Sequence, residues 1–131
     1  MDKDFENWVN QMSELGFNQV KFPIIRKYGM YDLDVVQSLE DFASDLDFYA
    51  RPPDERMESL IDSTGTEWTW KYNYEFKTLL PGKIKWTRSV DEMKKIMLRC
   101  FERGKSFETI KQEIEGAADI HQLIDILIKW S

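Results

Sequence analysis

The residue types that most often act as nucleophiles and bases are sparse in this chain. Cys100 is the single cysteine and falls on the apolar side of a predicted helix, where a thiol normally behaves as a small hydrophobic group. His121 is the single histidine and falls in the first turn of another predicted helix, where the helix dipole disfavours its charged form. The sequence places neither residue beside a second catalytic group, so we predict no catalytic residue.

Carboxylates are numerous, but no pair has catalytic spacing in the sequence. Glu67 and Glu75 share one face of a predicted strand, which separates them by about 27 Å, whereas the carboxylates that cleave glycosidic bonds lie about 5–9.5 Å apart. The chain has no Cys/His cluster with metal-ligand spacing and no glycine-rich phosphate loop. We therefore expect no cofactor and no metal. An enzyme whose site is assembled from distant carboxylates stays open as an alternative.

The clearest functional signal is a row of acidic residues between positions 33 and 48. Apolar residues at helical spacing, from Val35 to Leu46, predict a helix whose opposite side is acidic. Neighbouring acids on one helix repel one another unless a basic surface compensates them. We therefore expect a basic protein partner, such as a toxin or a nucleic-acid enzyme. The predicted contact residues are Asp34, Glu40, Asp41, Asp45 and Asp47.

The charge of the chain is unevenly distributed, which supports the same interpretation. The net charge is −6; residues 1–65 carry 14 acids and 6 bases, while residues 66–131 carry 10 acids and 12 bases. Such asymmetry steers charged partners, and an acidic total is not typical of a general nucleic-acid binder. The favoured function is a small non-enzymatic inhibitor or immunity-type protein, of the kind that phages and mobile elements encode, which neutralises its basic partner.

Segment 106–130 supports a DNA-binding regulator as the alternative. Ser106 and Asp119 can each begin a helix, and Gly116 between them completes a helix-turn-helix layout. Because the second helix of this segment offers only Lys129 as a firm base, phosphate contacts would come from the helix that precedes the whole segment. The bases there are Lys94, Lys95, Arg99, Arg103 and Lys105.

An antiparallel hairpin over residues 66–87 is predicted by strict alternation of aromatic and polar residues. The return strand continues the pattern with Ile84 and Trp86, after a predicted turn at Pro81-Gly82. Since the intervening positions are polar, we expect the aromatic face to be the core, with base stacking on exposed rings as the alternative. The rings of the first strand are Trp68, Trp70, Tyr72, Tyr74 and Phe76.

Helices and one further strand are predicted around this hairpin. Val20, Phe22 and Ile24 alternate as in a short edge strand near 19–25. Because strands and helices do not alternate regularly along the chain, we predict a single α+β domain over residues 1–131. The predicted helices are an N-terminal one from Phe5 to Leu15, the acidic one at 33–48, a short one at 54–62, and three beginning at Ser89, Ser106 and Asp119.

Composition favours a cytoplasmic protein. One cysteine allows no internal disulfide, which fits a reducing compartment. Residues 1–6 lack the features of a signal peptide, and no apolar run reaches the ~20 residues that span a bilayer. We expect no membrane partner, and the sequence leaves open whether the chain is a monomer or a homodimer.

Overall fold

The structure of the chain, a computed structural model, describes residues 3–28, 32–41 and 59–130. One antiparallel sheet and separate helices lie within these ranges, which confirms the predicted α+β class. The elements are helix α1 (Lys3–Leu15), a 3-10 turn (Phe17–Gln19), strands β1 (Ile24–Lys27), β2 (Leu33–Val36), β3 (Ser59–Ile61), β4 (Thr66–Asn73) and β5 (Thr78–Thr87), and helices α2 (Val90–Phe101), α3 (Phe107–Gly116) and α4 (Ile120–Trp130).

The sheet is covered by helices on both faces. Ile24 and Leu60 point to one face, where they pack with residues of α1 and of the 3-10 turn. Ile25 and Ile61 point to the other face and pack with α2, α3 and α4. Because successive side chains of a strand alternate between faces, β1 and β3 are apolar on both sides. The described residues thus form three layers, with the sheet in the middle.

The strand order is β2-β1-β3-β4-β5, and every neighbouring pair is antiparallel. The strand predicted near 19–25 overlaps β1 only at Ile24 and Ile25, and β1 lies between β2 and β3 rather than at an edge. Pro23 suggested the edge position, yet it immediately precedes the strand and therefore removes no hydrogen bond from the ladder. The edge prediction is wrong for this reason.

The predicted acidic helix at 33–48 is wrong at its start. Residues 33–36 form β2, in which Leu33 contributes to the core on one face and Val36 to the core on the other. Residues 59–61, assigned to a short helix at 54–62, form β3. A short apolar run buried on both sides looks the same whether it is a strand or a helix segment, so periodicity could not separate them. Residues 42–58 lie outside the described residues.

The hairpin of β4 and β5 is confirmed, but its turn is not at Pro81-Gly82. The chain reverses at residues 74–77, where Lys77 has a φ of 52° and Asn73 Oδ1 accepts a hydrogen bond from the backbone N–H of Phe76 (2.9 Å). Pro81 and Gly82 lie within β5, where the pairing with β4 shifts register. A Cβ on Gly82 would lie 2.6 Å from Thr69 Oγ1, so this close approach requires glycine.

The aromatic face is only partly the core. Trp68 is 7% exposed, and Trp70 and Tyr72 pack against the α1-side core. Tyr74 (77% exposed) and Phe76 (37%) belong to the turn, beyond the covered part of the sheet. The core prediction is therefore wrong for these two rings, and it is also wrong for Trp86, which is 49% exposed.

The C-terminal helices begin where their capping residues predicted. Ser89 Oγ accepts from the Glu92 N–H (3.1 Å), and Glu92 Oε1 accepts from the Ser89 N–H (3.2 Å), which completes a capping box for α2. Asp119 Oδ1 accepts from the N–H of Gln122 (2.9 Å) before α4. Ser106 precedes α3 but forms no side-chain cap.

This difference between the two serines gives a matched test of stability. Ser89→Ala is expected to lower the free energy of unfolding by about 1 kcal/mol, because it leaves the backbone N–H of Glu92 without its side-chain acceptor. Ser106→Ala removes no such bond and should change it by no more than about 0.5 kcal/mol. Urea denaturation followed by circular dichroism measures both, and equal losses would contradict the assignment of the caps.

Candidate functional site

The predicted acidic face is only partly available as a surface. Asp34 accepts two hydrogen bonds of 2.7 Å each from the guanidinium of Arg26, a buried residue on the neighbouring strand. This bidentate pair joins β1 to β2. Glu40 and Asp41 are exposed, while Asp45 and Asp47 lie outside the described residues. Asp34 therefore has an internal partner, and the acidic face stays a prediction for the other residues.

The helix-turn-helix segment presents the side chains that the sequence predicted, but its base is already paired. His121, Gln122, Asp125 and Lys129 are exposed on α4. Lys129 Nζ donates to Glu113 Oε1 of α3 (2.7 Å), and Trp130 Nε1 donates to Glu113 Oε2 (2.5 Å). These bonds hold the pKa of Glu113 below its usual value. Phosphate contacts by this segment would thus depend on the bases of α2.

The candidate nucleophile and base of the sequence lie in ordinary environments. Cys100 is half-buried on α2 beside Leu33, and burial raises the pKa of its thiol. A raised pKa keeps the thiol protonated and reduces its reactivity. His121 is exposed on α4. Neither residue carries an argument for catalysis.

The two carboxylates that the described residues bury are occupied by hydrogen-bond donors. Asp62 accepts from the backbone N–H groups of Thr64 (2.9 Å) and Thr66 (3.2 Å) and from Trp68 Nε1 (3.3 Å). Both serve as internal acceptors, which is the usual role of a buried carboxylate. The network around Glu67 differs in that it contains cationic groups.

Glu67 is fully buried and joins three strands to the C-terminal helices. Its Oε2 accepts from Ser59 Oγ of β3 (2.8 Å), and its Oε1 accepts from Trp86 Nε1 of β5 (3.1 Å). Arg88, which precedes α2, donates from Nε to the same Oε1, and Lys85 Nζ lies 3.7 Å from Oε2. The Glu67 carboxylate therefore lies beside positively charged groups and accepts several hydrogen bonds. Under these conditions a buried charge is stable.

The charged form of Glu67 is favoured in the folded chain. Burial alone would raise its pKa, but the hydrogen bonds from Arg88, Ser59 and Trp86, together with the charge of Arg88, outweigh burial and lower the pKa below its ordinary value. A carboxylate that stays ionised and saturated with donors is poorly suited to deliver a proton. We interpret Glu67 as a structural anchor.

Next to Glu67, the outer strand of the described sheet is exposed along its last five residues. Residues 83–87 are all exposed. A register shift in the β4–β5 pairing also places the two apolar residues of this segment on opposite faces, since Trp86 pairs with Glu67 and Ile84 pairs with Trp68. Ile84 is 57% exposed and Trp86 is 49% exposed. We call residues 83–88 the β5 edge.

Trp86 is held firmly although half of it faces solvent. Its Nε1 is bound to Glu67, and the cationic groups of Lys85 and Arg88 lie 4.9 Å and 5.0 Å from its ring centroid. Cations at this distance attract the electron-rich face of the indole. The β5 edge therefore presents a pre-positioned aromatic ring within a basic surface, a combination that sequence analysis missed because it assigned the ring to the core.

Comparisons with known proteins give no further indication of a function. No family model matches the chain, and no curated protein or solved structure matches it. Within the described ranges, no group of three or more His, Cys, Asp or Glu residues could hold a metal ion. No helix in this part of the chain has the length and apolar character needed to cross a membrane.

The role of Glu67 as an anchor can be tested through pH. Glu67→Gln is expected to lower the free energy of unfolding at neutral pH by about 3 kcal/mol, because Arg88 loses its buried counter-charge. Since the pKa of the folded state is depressed, this stabilisation is present above the ordinary value of 4.5 and is lost as the pH falls through the folded pKa. Urea denaturation between neutral and acidic pH should thus show the gap between wild type and variant narrowing below pH 4.5.

Glu75→Gln serves as the control, since Glu75 is an exposed residue of the same hairpin. It should leave stability within about 0.5 kcal/mol of wild type. A gap between wild type and Glu67→Gln that stays constant over the whole pH range would show that the charge of Glu67 contributes nothing.

Proposed function

We propose that this chain is a non-enzymatic protein-binding module whose contact surface is the β5 edge. The observation that carries the proposal is Trp86, a large ring that is half exposed and yet fixed by Glu67, Lys85 and Arg88. Tryptophan and arginine are the residues that contribute most to protein–protein affinity when they are held in place. A side chain ordered before binding loses little conformational entropy on association.

The apolar character of the same surface supports a protein partner. Ile84, which faces the other side of the sheet, adds a second exposed hydrophobic side chain to the same strand edge. An aliphatic side chain gains nothing from base stacking, but it contributes buried area at an interface between proteins. Exposed lysines at positions 83 and 85 lie next to these two residues along the strand and add polar groups to the edge.

The partner is expected to contact side chains rather than to add a strand to the sheet. Exposed edge strands of natural sheets are protected against pairing by lysines and by bulges. The β5 edge has both, with Lys83 and Lys85 exposed and register shifts on each side of Ile84. Continuous main-chain pairing along this edge would meet these irregularities, so side-chain contacts at Ile84 and Trp86 are the more suitable mode of binding.

An inhibitor that neutralises a basic partner through an acidic face is the second candidate. It is favoured by the exposure of Glu40 and Asp41, which follow the buried Leu39. Glu40 also lines a shallow cavity of about 340 Å³ between α1 and residues 38–40. Carboxylates beside a concave surface suit a basic side chain of a partner.

Photo-crosslinking in the cells that naturally make this protein distinguishes these candidates. A benzophenone amino acid is placed in turn at Ile84, Glu40 and His121, and at Gln112 as an exposed control on α3. We expect a protein adduct at position 84 and none at position 112, because the reactive group reaches only what lies against it.

An adduct at position 40 without one at position 84 would replace the β5 edge with the acidic face. An adduct to DNA at position 121 would instead favour the regulator with a helix-turn-helix. Protein adducts of equal yield at all four positions would contradict a defined contact surface.

A further inference from the structure

A groove continues from the β5 edge along the hairpin and suggests what the partner presents. Its volume is about 460 Å³, within the range of cavities that receive a ligand or a few side chains of a partner. Lys83 belongs to both surfaces, so a partner on the β5 edge can reach the groove. We call it the hairpin groove; its lining residues are Leu15, Thr69, Trp70, Lys71, Asn73, Leu80, Pro81, Gly82 and Lys83.

The polar side chains of the hairpin groove offer donors to a ligand. Thr69 Oγ1 already accepts from the backbone N–H of Lys83 (2.9 Å), which leaves its hydroxyl proton to donate. Asn73 Oδ1 already accepts from the N–H of Phe76, which leaves its amide NH₂ group. Lys71 and Lys83 can only donate, and no Asp or Glu of the described ranges lines the groove. This donor set matches a ligand that carries acceptors and negative charge.

The two lysines of the groove also carry positive charge that the described residues do not balance. Lys85 and Arg88 share the carboxylate of Glu67, whereas Lys71 and Lys83 form no ion pair among the described residues and are exposed. In an acidic chain, such a local excess attracts an anionic group to one place. Trp70, Leu80 and Pro81 supply an apolar wall beside these charges.

We propose that the hairpin groove binds an acidic segment of the protein partner, with carboxylates on Lys71 and Lys83 and an apolar side chain against Trp70. This inference rests on the proposed function, since it names the chemistry of the partner that contacts the β5 edge. It reverses the charge that the acidic N-terminal half suggested for the partner.

The same residues favour an acidic peptide over a nucleic acid. Stacking on bases requires a free aromatic face within the site, but cations already lie over the Trp86 ring of the β5 edge, and Trp70 of the groove packs against the core. Nucleic-acid affinity also grows with the number of phosphates that are neutralised, and a chain of net charge −6 opposes a long polyanion more than a short acidic segment.

Fluorescence anisotropy with defined probes tests the inference. The probes are a short capped peptide with glutamates around one phenylalanine, the same peptide with glutamine for glutamate, and single-stranded oligothymidine of similar length. We expect the acidic peptide to bind at low salt, at least about tenfold more tightly than the glutamine peptide and than oligothymidine.

Two double variants of equal charge locate the binding. Lys71→Gln with Lys83→Gln should weaken the acidic peptide about tenfold, because both ammonium groups of the groove are lost. Lys95→Gln with Arg99→Gln removes two exposed bases of α2 and should change affinity by no more than about twofold. Circular dichroism confirms that each variant is folded.

Equal losses in the two variants would overturn the inference, because they would reflect net charge alone. Tighter binding of oligothymidine that depends on Lys71 and Lys83 would assign the groove to nucleic acid instead. The crosslinker at position 84 can also be used in the Lys71→Gln, Lys83→Gln background. If it captures the same protein with equal yield there, the β5 edge is kept as the contact surface, but binding of an acidic segment in the groove is excluded. Absence of any adduct at position 84 is the separate result that overturns the proposed function.

Discussion

The buried carboxylate of Glu67 is the interaction on which the described structure most depends. It receives hydrogen bonds from β3 and β5 and from Arg88, the residue that leads into the capping box of α2. Desolvating a carboxylate costs several kcal/mol, so the charge is tolerated only because Arg88 and neutral donors surround it. One side chain thereby connects β3, β4 and β5 with the segment that begins the C-terminal helices.

This anchor also connects stability to the proposed binding surface. Glu67 accepts a hydrogen bond from the indole N–H of Trp86. The cationic groups of Lys85 and Arg88, which also contact the Glu67 carboxylate, lie over the indole ring. A ring in this position is both ordered and exposed. A core residue is ordered but covered, and a mobile surface residue is exposed but not ordered. The hairpin groove begins at Lys83 of this surface, and no carboxylate in the described part of the chain balances Lys71 and Lys83 as Glu67 balances Lys85 and Arg88.

Local signals predicted those parts of the fold that are determined locally. The alternation of rings from Thr66 predicted β4 and β5, and the Ser89 capping box predicted the start of α2, because both patterns describe hydrogen bonding between near neighbours. Strands β1, β2 and β3 escaped correct assignment, since each is short and has apolar residues buried on both faces of the sheet, which leaves no polar–apolar alternation to read. Asp34 was predicted as a contact residue because its partner, Arg26, becomes adjacent only when β2 pairs with β1.

The sequence by itself determined the α+β class, the hairpin, the capped helices and the separation of acidic and basic halves, because composition, periodicity and caps act over a few residues. Only the tertiary structure decided that Glu67 is buried, that Trp86 is exposed, and that Lys71 and Lys83 line one groove. The register shifts of β5 turn Trp86 to the opposite face from Ile84, and a shift in pairing leaves no mark in the alternation of residue types. The burial of Glu67 and the charge balance around Lys71 and Lys83 therefore depend on contacts between segments that are distant in the sequence. No local sequence pattern records such contacts.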